Sequence, residues 1–178
     1  MRRRDDKLYF ASKLKLALQD DFHGRVYLGE MPEEKFSELN RFRVKLGVQI
    51  ICRRDIFIYS GVIKKLRSHR LIHDRMSVEQ VISIATSAMF DAKSMVVQTR
   101  FSHIQAFVLP RDDGVTVDVV YVGEYQGGVS LKSIYINDLK DINKQALEGG
   151  RQPSSNPSDL APPIFTSFKA LVVKVSVL

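Results

Sequence analysis

Two histidines stand four residues apart in the stretch SHRLIHDR, residues 68–75, with arginines at 67, 70 and 75. On a helix, His69 and His73 would share one face. Three chemistries suit that arrangement. Two imidazoles at i and i+4 can ligate zinc. An imidazole, with an unperturbed pKa of about 6.5, can move protons near neutral pH. The third reading is a solvated basic helix end, where cations suit the helix dipole. The helical zinc motif carries a glutamate directly after its first histidine, and here that place is Arg70. The surrounding arginines repel a dication, so no metal and no cofactor is assigned.

Acid/base work on a phosphodiester needs a base for the 2′-hydroxyl proton and an acid for the leaving oxygen. It also needs cations or donors for the phosphate. The chain offers such a set. Val62, Leu66, His69 and His73 fall at spacings of 4, 3 and 4 on the helix GVIKKLRSHRLIH, so His69 is expected to point at a sheet. Arg100 lies in VVQTRF, and Lys132, Ser133 and Tyr135 lie in the strand pattern LKSIY. These five are the candidate catalytic residues. Lys64, Lys65, Arg67, Arg70, His73 and Arg75 are the candidate nucleic-acid contacts. Taken singly, each also reads otherwise. Arg100 and Lys132 suit an exposed sheet face, and Tyr135 suits a core with its hydroxyl satisfied. No base-stacking platform is identified, since there is no Trp and the Tyr and Phe residues read mostly as core.

The totals agree with a polyanion partner. Lys and Arg number 27 against 20 Asp and Glu, a net charge of +7, and the pI is near 9.6. Such an excess attracts RNA or DNA first and an anionic membrane second. With 44% apolar residues, most of the 178 should fold. The one cysteine, Cys52, sits in the apolar run VQIIC and is expected to be a small buried hydrophobe. A single cysteine excludes an internal disulfide framework. The start, MRRRDDKLYF, lacks the apolar core of a secretory signal, and FKALVVKVSVL is too short and too charged to span a bilayer. The expectation is a cytoplasmic or virion-associated protein without membrane contact.

These residues need a scaffold. An amphipathic lead-in helix is expected over residues 1–24, with Leu8, Ala11, Leu14 and Leu18 as its apolar side. RVYLG reads as a strand. Pro32 and two acids open a helix that Gly47 stops. VQIIC and DIFIYS read as two strands. Ser77 with Gln80 makes a capping box before a helix striped by Val78, Val81, Ile82, Ala85, Ala88 and Met89. After residue 94 the period becomes two. SMVVQTRF, HIQAFVLP, VTVDVVYVGEY and VSLKSIYI read as four strands, with turns at Asp113-Gly114 and Gly127-Gly128. Helices first and a meander last predict an α+β fold, N-terminal helices packed on a C-terminal antiparallel β-meander. NDLKDINKQALEGG is a last helix. RQPSSNPSDLAPP is a Pro/Ser-rich linker, which makes residues 151–178 a linker and apolar tail after a domain over 25–150.

The run from RVYLGEMP through VQIIC, IFIYS, GVIKKLRSH and SVEQVISIATSAMF to LKSIY resembles the phage-associated branch of the barnase/EndoU/colicin/RelE-like nuclease superfamily. The resemblance covers about residues 25–137. It implies a small barnase/RelE-like module in which His69 ends the helix and Ser133 and Tyr135 stand in the closing strand. It also implies metal-independent endoribonuclease chemistry leaving a 2′,3′-cyclic phosphate, in a phage, prophage or toxin setting. RNA is then the partner, with an immunity or antitoxin protein or a phage head protein at the C-terminal tail. His73 competes with His69 for the histidine role, and the tail has no counterpart. The alternative is a non-catalytic phage structural or assembly module that binds nucleic acid or protein.

Overall fold

The computed structural model describes residues 2–98 and 101–149. In chain order the elements are α1 (Arg2–Gln19), β1 (Arg25–Glu30), α2 (Glu33–Lys45), β2 (Asp55–Tyr59) and α3 (Ser60–Leu66). A π-helix (Arg67–His73) continues α3. Then come α4 (Val78–Asp91), β3 (Ser94–Gln98), β4 (Phe101–Pro110), β5 (Thr116–Tyr125), β6 (Gly128–Asp138) and α5 (Leu139–Gly149). The fold is α+β, with one sheet ordered β1-β2-β6-β5-β4-β3. The expected meander is present as β3 to β6. The sheet is mixed rather than purely antiparallel, because β2 lies parallel to β6 over Ile56–Ile58 and Val129–Leu131.

One sheet face carries the main core. Ile56, Ile58, Phe107, Val120, Val122, Leu131 and Ile134 meet helical residues there, among them Phe10, Leu14, Leu39, Ile63, Leu66 and Met89. Fully burying one such side chain contributes roughly 1.5–3 kcal/mol. The inward line of α1 is Phe10, Leu14, Ala17 and Leu18, while Leu8 is exposed. The aromatic Phe10 stacks edge-on against Phe90 of α4 at 5.5 Å, and this fixes a rotation that counting leucines missed. The opposite face is covered only in part. There α5 packs Ile142, with Leu139 beside it, against Val96, Val117, Val119 and Tyr121.

VQIIC forms no strand. Asn40 of α2 bonds both backbone groups of Ile51, donating from Nδ2 to its carbonyl and accepting its N–H, each at 2.9 Å. A side chain thus takes the groups a neighbouring strand would need. Cys52 is exposed, not buried. The N–H groups of Cys52 and Arg53 instead bind the Gly127 carbonyl at 3.1 and 2.7 Å. The two-residue turn between β5 and β6 is Gln126-Gly127, one position before the expected pair. Both residues take positive φ, 50° and 80°, as a type I′ hairpin requires. Ser77 and Gln80 form the expected capping box on α4.

Arg43 joins α2 to the sheet. It is 1% exposed. Its guanidinium donates to the Gln49 carbonyl, the His103 carbonyl and Gln105 Oε1. Arg43→Ala removes a charge-assisted hub and strands buried acceptors, so unfolding free energy should fall by roughly 2–4 kcal/mol in a urea titration. At the β4–β5 turn, Asp113 accepts first from the Thr116 hydroxyl and then from Thr116 N and Val115 N, which hold its carboxyl down to about 2. A depressed carboxyl stabilises the fold above its unfolded pKa, ordinarily about 3.9. That contribution should disappear as pH falls from there through about 2. Carbon-detected NMR titration of Asp113 should give the low midpoint, and Asp113→Asn should flatten this part of the acid stability profile.

Candidate nucleic-acid interface

β2 ends at Tyr59, whereas β6 runs on to Asp138. Beyond Leu131, β6 therefore has no partner strand on its β2 side among the described residues. The helix α3 and its π continuation lie beside that edge, with Ile63 and Leu66 buried. An i→i+5 bond from Asp74 N to the His69 carbonyl, 2.9 Å, marks the wider π winding. Two arginines set the rotation of this segment. Arg67 donates to the carbonyls of Leu18, Ala17 and Asp20 and to Asp21 Oδ1, which satisfies the C-terminal carbonyls of α1. Arg70 lays its guanidinium 4.1 Å from the centre of the Tyr135 ring. It also pairs with Asp74.

With Arg67 and Arg70 turned inward, His69 and His73 face solvent. The expectation that His69 points at the sheet is therefore corrected: the inward line is Ile63, Leu66, Arg67 and Arg70. His73 is 82% exposed and its Nδ1 lies 2.9 Å from Asp74 Oδ1. The Asp74 carboxyl is held below its ordinary range, first by that bond to His73 and then by Arg70. Arg67 and Arg70, expected on the solvated face of this helix, are also turned inward. A guanidinium that caps a helix end or stacks on a ring is fixed by those partners. Lys64, Lys65 and Arg75 are exposed as expected. Arg75 takes a positive φ of 53°. Arg100 lies outside the described residues.

The other candidates sit on β6. Opposite the pair Tyr121–Val122, β6 has three residues, Leu131, Lys132 and Ser133, so Lys132 is the extra residue of a β-bulge. Its side chain crosses Gly123, where an added Cβ would lie 3.1 Å from Lys132 Cε. Burial pushes its ammonium down from the usual lysine range, with Glu124 acting the other way. Ser133 pairs with Tyr121 and is buried. Tyr135 packs edge-on against Tyr121 at 5.6 Å. The bulge thus turns Lys132, Ser133 and Tyr135 to one side, the face that α5 covers only in part. The structure joins Tyr135 to the histidine-bearing segment through Arg70.

Sequence reading passed over several residues of this face. Tyr59 and Tyr125 meet edge-on at 4.7 Å, Lys132 Nζ lies 5.7 Å from the Tyr125 ring centre, and Arg25 lies 4.6 Å from that of Phe57. The alternation in TVDVVYVGEY places Tyr121 and Tyr125 on one side, which was the available signal. A cavity of about 470 Å³ opens elsewhere, between α4 and the β4–β5 hairpin. It is lined by Asp112, Asp113 and Asp118 with Arg111, which lies 3.3 Å from Asp118. Its acids suit a polyanion poorly. Among the described residues, no three of His, Cys, Asp and Glu converge as metal ligands, and no helix is long and apolar enough to cross a membrane. No family model, curated protein or solved structure matches the chain.

The two kinds of cation should separate on mutation. Arg67→Ala should lower the melting temperature, because four acceptors at the end of α1 lose their donor. The double change Lys64→Gln, Lys65→Gln should leave melting in place but reduce the salt dependence of RNA binding by about one to two counterions. An unchanged melt for Arg67→Ala would remove its structural role.

Proposed function

We propose that the protein is a metal-independent RNA-cleaving module whose site is the seam between the π-helix and β6. The observation that carries this reading is the stack of Arg70 on Tyr135 at 4.1 Å. It ties the turn bearing His69 and His73 to the strand bearing Lys132, Ser133 and Tyr135. Arg70 Nε is buried without a hydrogen-bond partner among the described residues, so a donor stands ready at the same seam. π-Helices, moreover, recur at functional sites.

In the proposed reaction a 2′-oxygen attacks the adjacent phosphorus and gives up its proton. The bond from phosphorus to the 5′-oxygen breaks, and that oxygen takes a proton. The products are a 2′,3′-cyclic phosphate and a free 5′-hydroxyl. His69 takes the proton from the 2′-oxygen and returns one to the leaving 5′-oxygen, since an imidazole suits proton transfer near neutral pH. Arg70 and Lys132 offset charge on the phosphate, and Tyr135 and Ser133 orient it. A solvent-facing imidazole in the free protein is compatible with this, since acid/base contacts often tighten only on substrate.

One observation favours a second reading. Both imidazoles are exposed, and among the described residues no side-chain bond orients that of His69. A module that binds RNA without cutting it fits that exposure. Purified protein incubated with mixed RNA in EDTA separates the two. Cyclic-phosphate ends that fall by about 10²–10⁴ in rate in His69→Ala support catalysis. Salt-sensitive binding without product from folded protein supports the second reading, and a His69→Ala variant as fast as the parent removes His69 from the reaction.

A further inference from the structure

The open part of the sheet face, away from α5, carries a row of rings and cations running from β6 across β2 to β1. The register places Lys132 and Ser130 on β6, Phe57 and Tyr59 on β2, and Arg25 and Tyr27 on β1 along one side. Tyr125 joins them from the end of β5. Tyr125 is 44% exposed and Tyr27 is 39% exposed. Phe57, between them, is 5.7 Å from Tyr27 centre to centre and lies under Arg25. The turn next to Tyr125 is tied down. Arg25 donates to Gln126 Oε1 at 3.0 Å, and Arg53 donates to the Gln126 carbonyl at 2.7 Å, so the β5–β6 turn cannot swing away.

Three features select the occupant. Exposed rings at the two ends of the strip offer stacking surfaces that any base can use. Arg25 and Lys132 make no ion pair with a carboxylate among the described residues, so positive charge remains for a backbone of phosphates. Ser130 Oγ and the Tyr59 hydroxyl are buried without a partner among the described residues, and Ser130 is only 1% exposed. Both are closed off from solvent as the side chains stand, so a sugar hydroxyl or base edge satisfies them only where the neighbouring rings shift. Of the acids near Tyr27, Glu30 is engaged by Arg54 at 2.7 Å and Asp55 by Arg53 at 3.8 Å, and Asp6 of α1 stands at the same end. They mark where an anionic strand would leave the sheet.

We infer that this strip is a base-stacking platform for single-stranded RNA, with Tyr125 and Tyr27 receiving bases and Arg25 and Lys132 flanking the backbone. The inference rests on RNA as the ligand, and it assigns the unpaired strand to a track beside the proposed cleavage seam. A duplex would hide its base faces and reach only the cations.

The test reads binding, not cleavage. A fluorescein-labelled eight-nucleotide RNA is titrated in EDTA against the full chain, Tyr125→Leu and Tyr27→Leu, with circular dichroism as the fold control. Each variant should bind on the order of tenfold more weakly with an unchanged salt slope. The chain has six tyrosines and no tryptophan, so its tyrosine emission should also fall when unlabelled RNA binds the parent. Should Tyr125→Leu misfold, Tyr27→Leu and the parent's emission decide. Parental affinity in the folded variants overturns the platform. So does a duplex that binds as tightly as the single strand, or polyglutamate that displaces RNA at equal charge. Cleavage that persists while both variants bind normally would leave the nuclease reading standing and this one refuted. Weakened variants together with an uncut RNA would do the reverse.

Discussion

Three residues of parallel pairing hold the two halves of the molecule together. Ile56, Phe57 and Ile58 of β2 align with Val129, Ser130 and Leu131 of β6. Besides this ladder and the helical core beneath it, the segments before β2 reach the meander through Arg43, which bonds β4, and through Cys52 and Arg53, which bond the Gly127 carbonyl. The ladder is short because the chain turns into α3 at Ser60, whose N–H binds the Gly24 carbonyl. Its early end has two consequences. It leaves the second half of β6 with an open edge, where the π-helix lies. It also leaves β1, β2 and the start of β6 side by side, one face packed on the helices and the other a strip bordered by Tyr9 of α1, 6.3 Å from Tyr27.

Arginine works more as a joint in this fold than as free charge. Arg43 bonds α2 to β4, Arg67 closes the end of α1, Arg70 locks the π-helix to Tyr135, and Arg53 holds the β5–β6 turn. The guanidinium suits this use because it presents five donors in a fixed plane and stays charged when partly desolvated. A net charge of +7 therefore overstates the cations free to meet a ligand. Lys64, Lys65, Arg25 and Lys132 remain on the described surface without a carboxylate ion pair, whereas Arg70, placed at the proposed seam, already pairs with Asp74. Their placement is uneven, with Arg25 and Lys132 beside aromatic rings.

Much of the architecture could be read from pattern. The capping box of α4, the period of two from β3 to β6, the Pro32 start and Gly47 stop of α2, and the α+β order all follow from local rules of capping, glycine freedom and side-chain alternation. The failures have a common cause. VQIIC has strand composition, yet Asn40 takes the backbone bonds of Ile51. α1 has several apolar stripes, and the aromatic contact of Phe10 with Phe90 chooses among them. In each case a residue distant in sequence outbids a local preference.

By itself the sequence determined the basic charge, the helix and strand periods, the close spacing of two histidines among arginines, and the grouping of Lys132, Ser133 and Tyr135 in one strand. Tertiary structure decided which way these groups face. Helix rotation depends on the partners available, and α1 carbonyls and the Tyr135 ring draw Arg67 and Arg70 inward, which turns His69 and His73 to solvent. The bulge at Lys132 depends on register against β5, which no local pattern encodes. The stacking strip is likewise absent from any linear spacing. Tyr27, Phe57, Tyr59 and Tyr125 come from three strands, and they become neighbours only because β2 inserts beside β6.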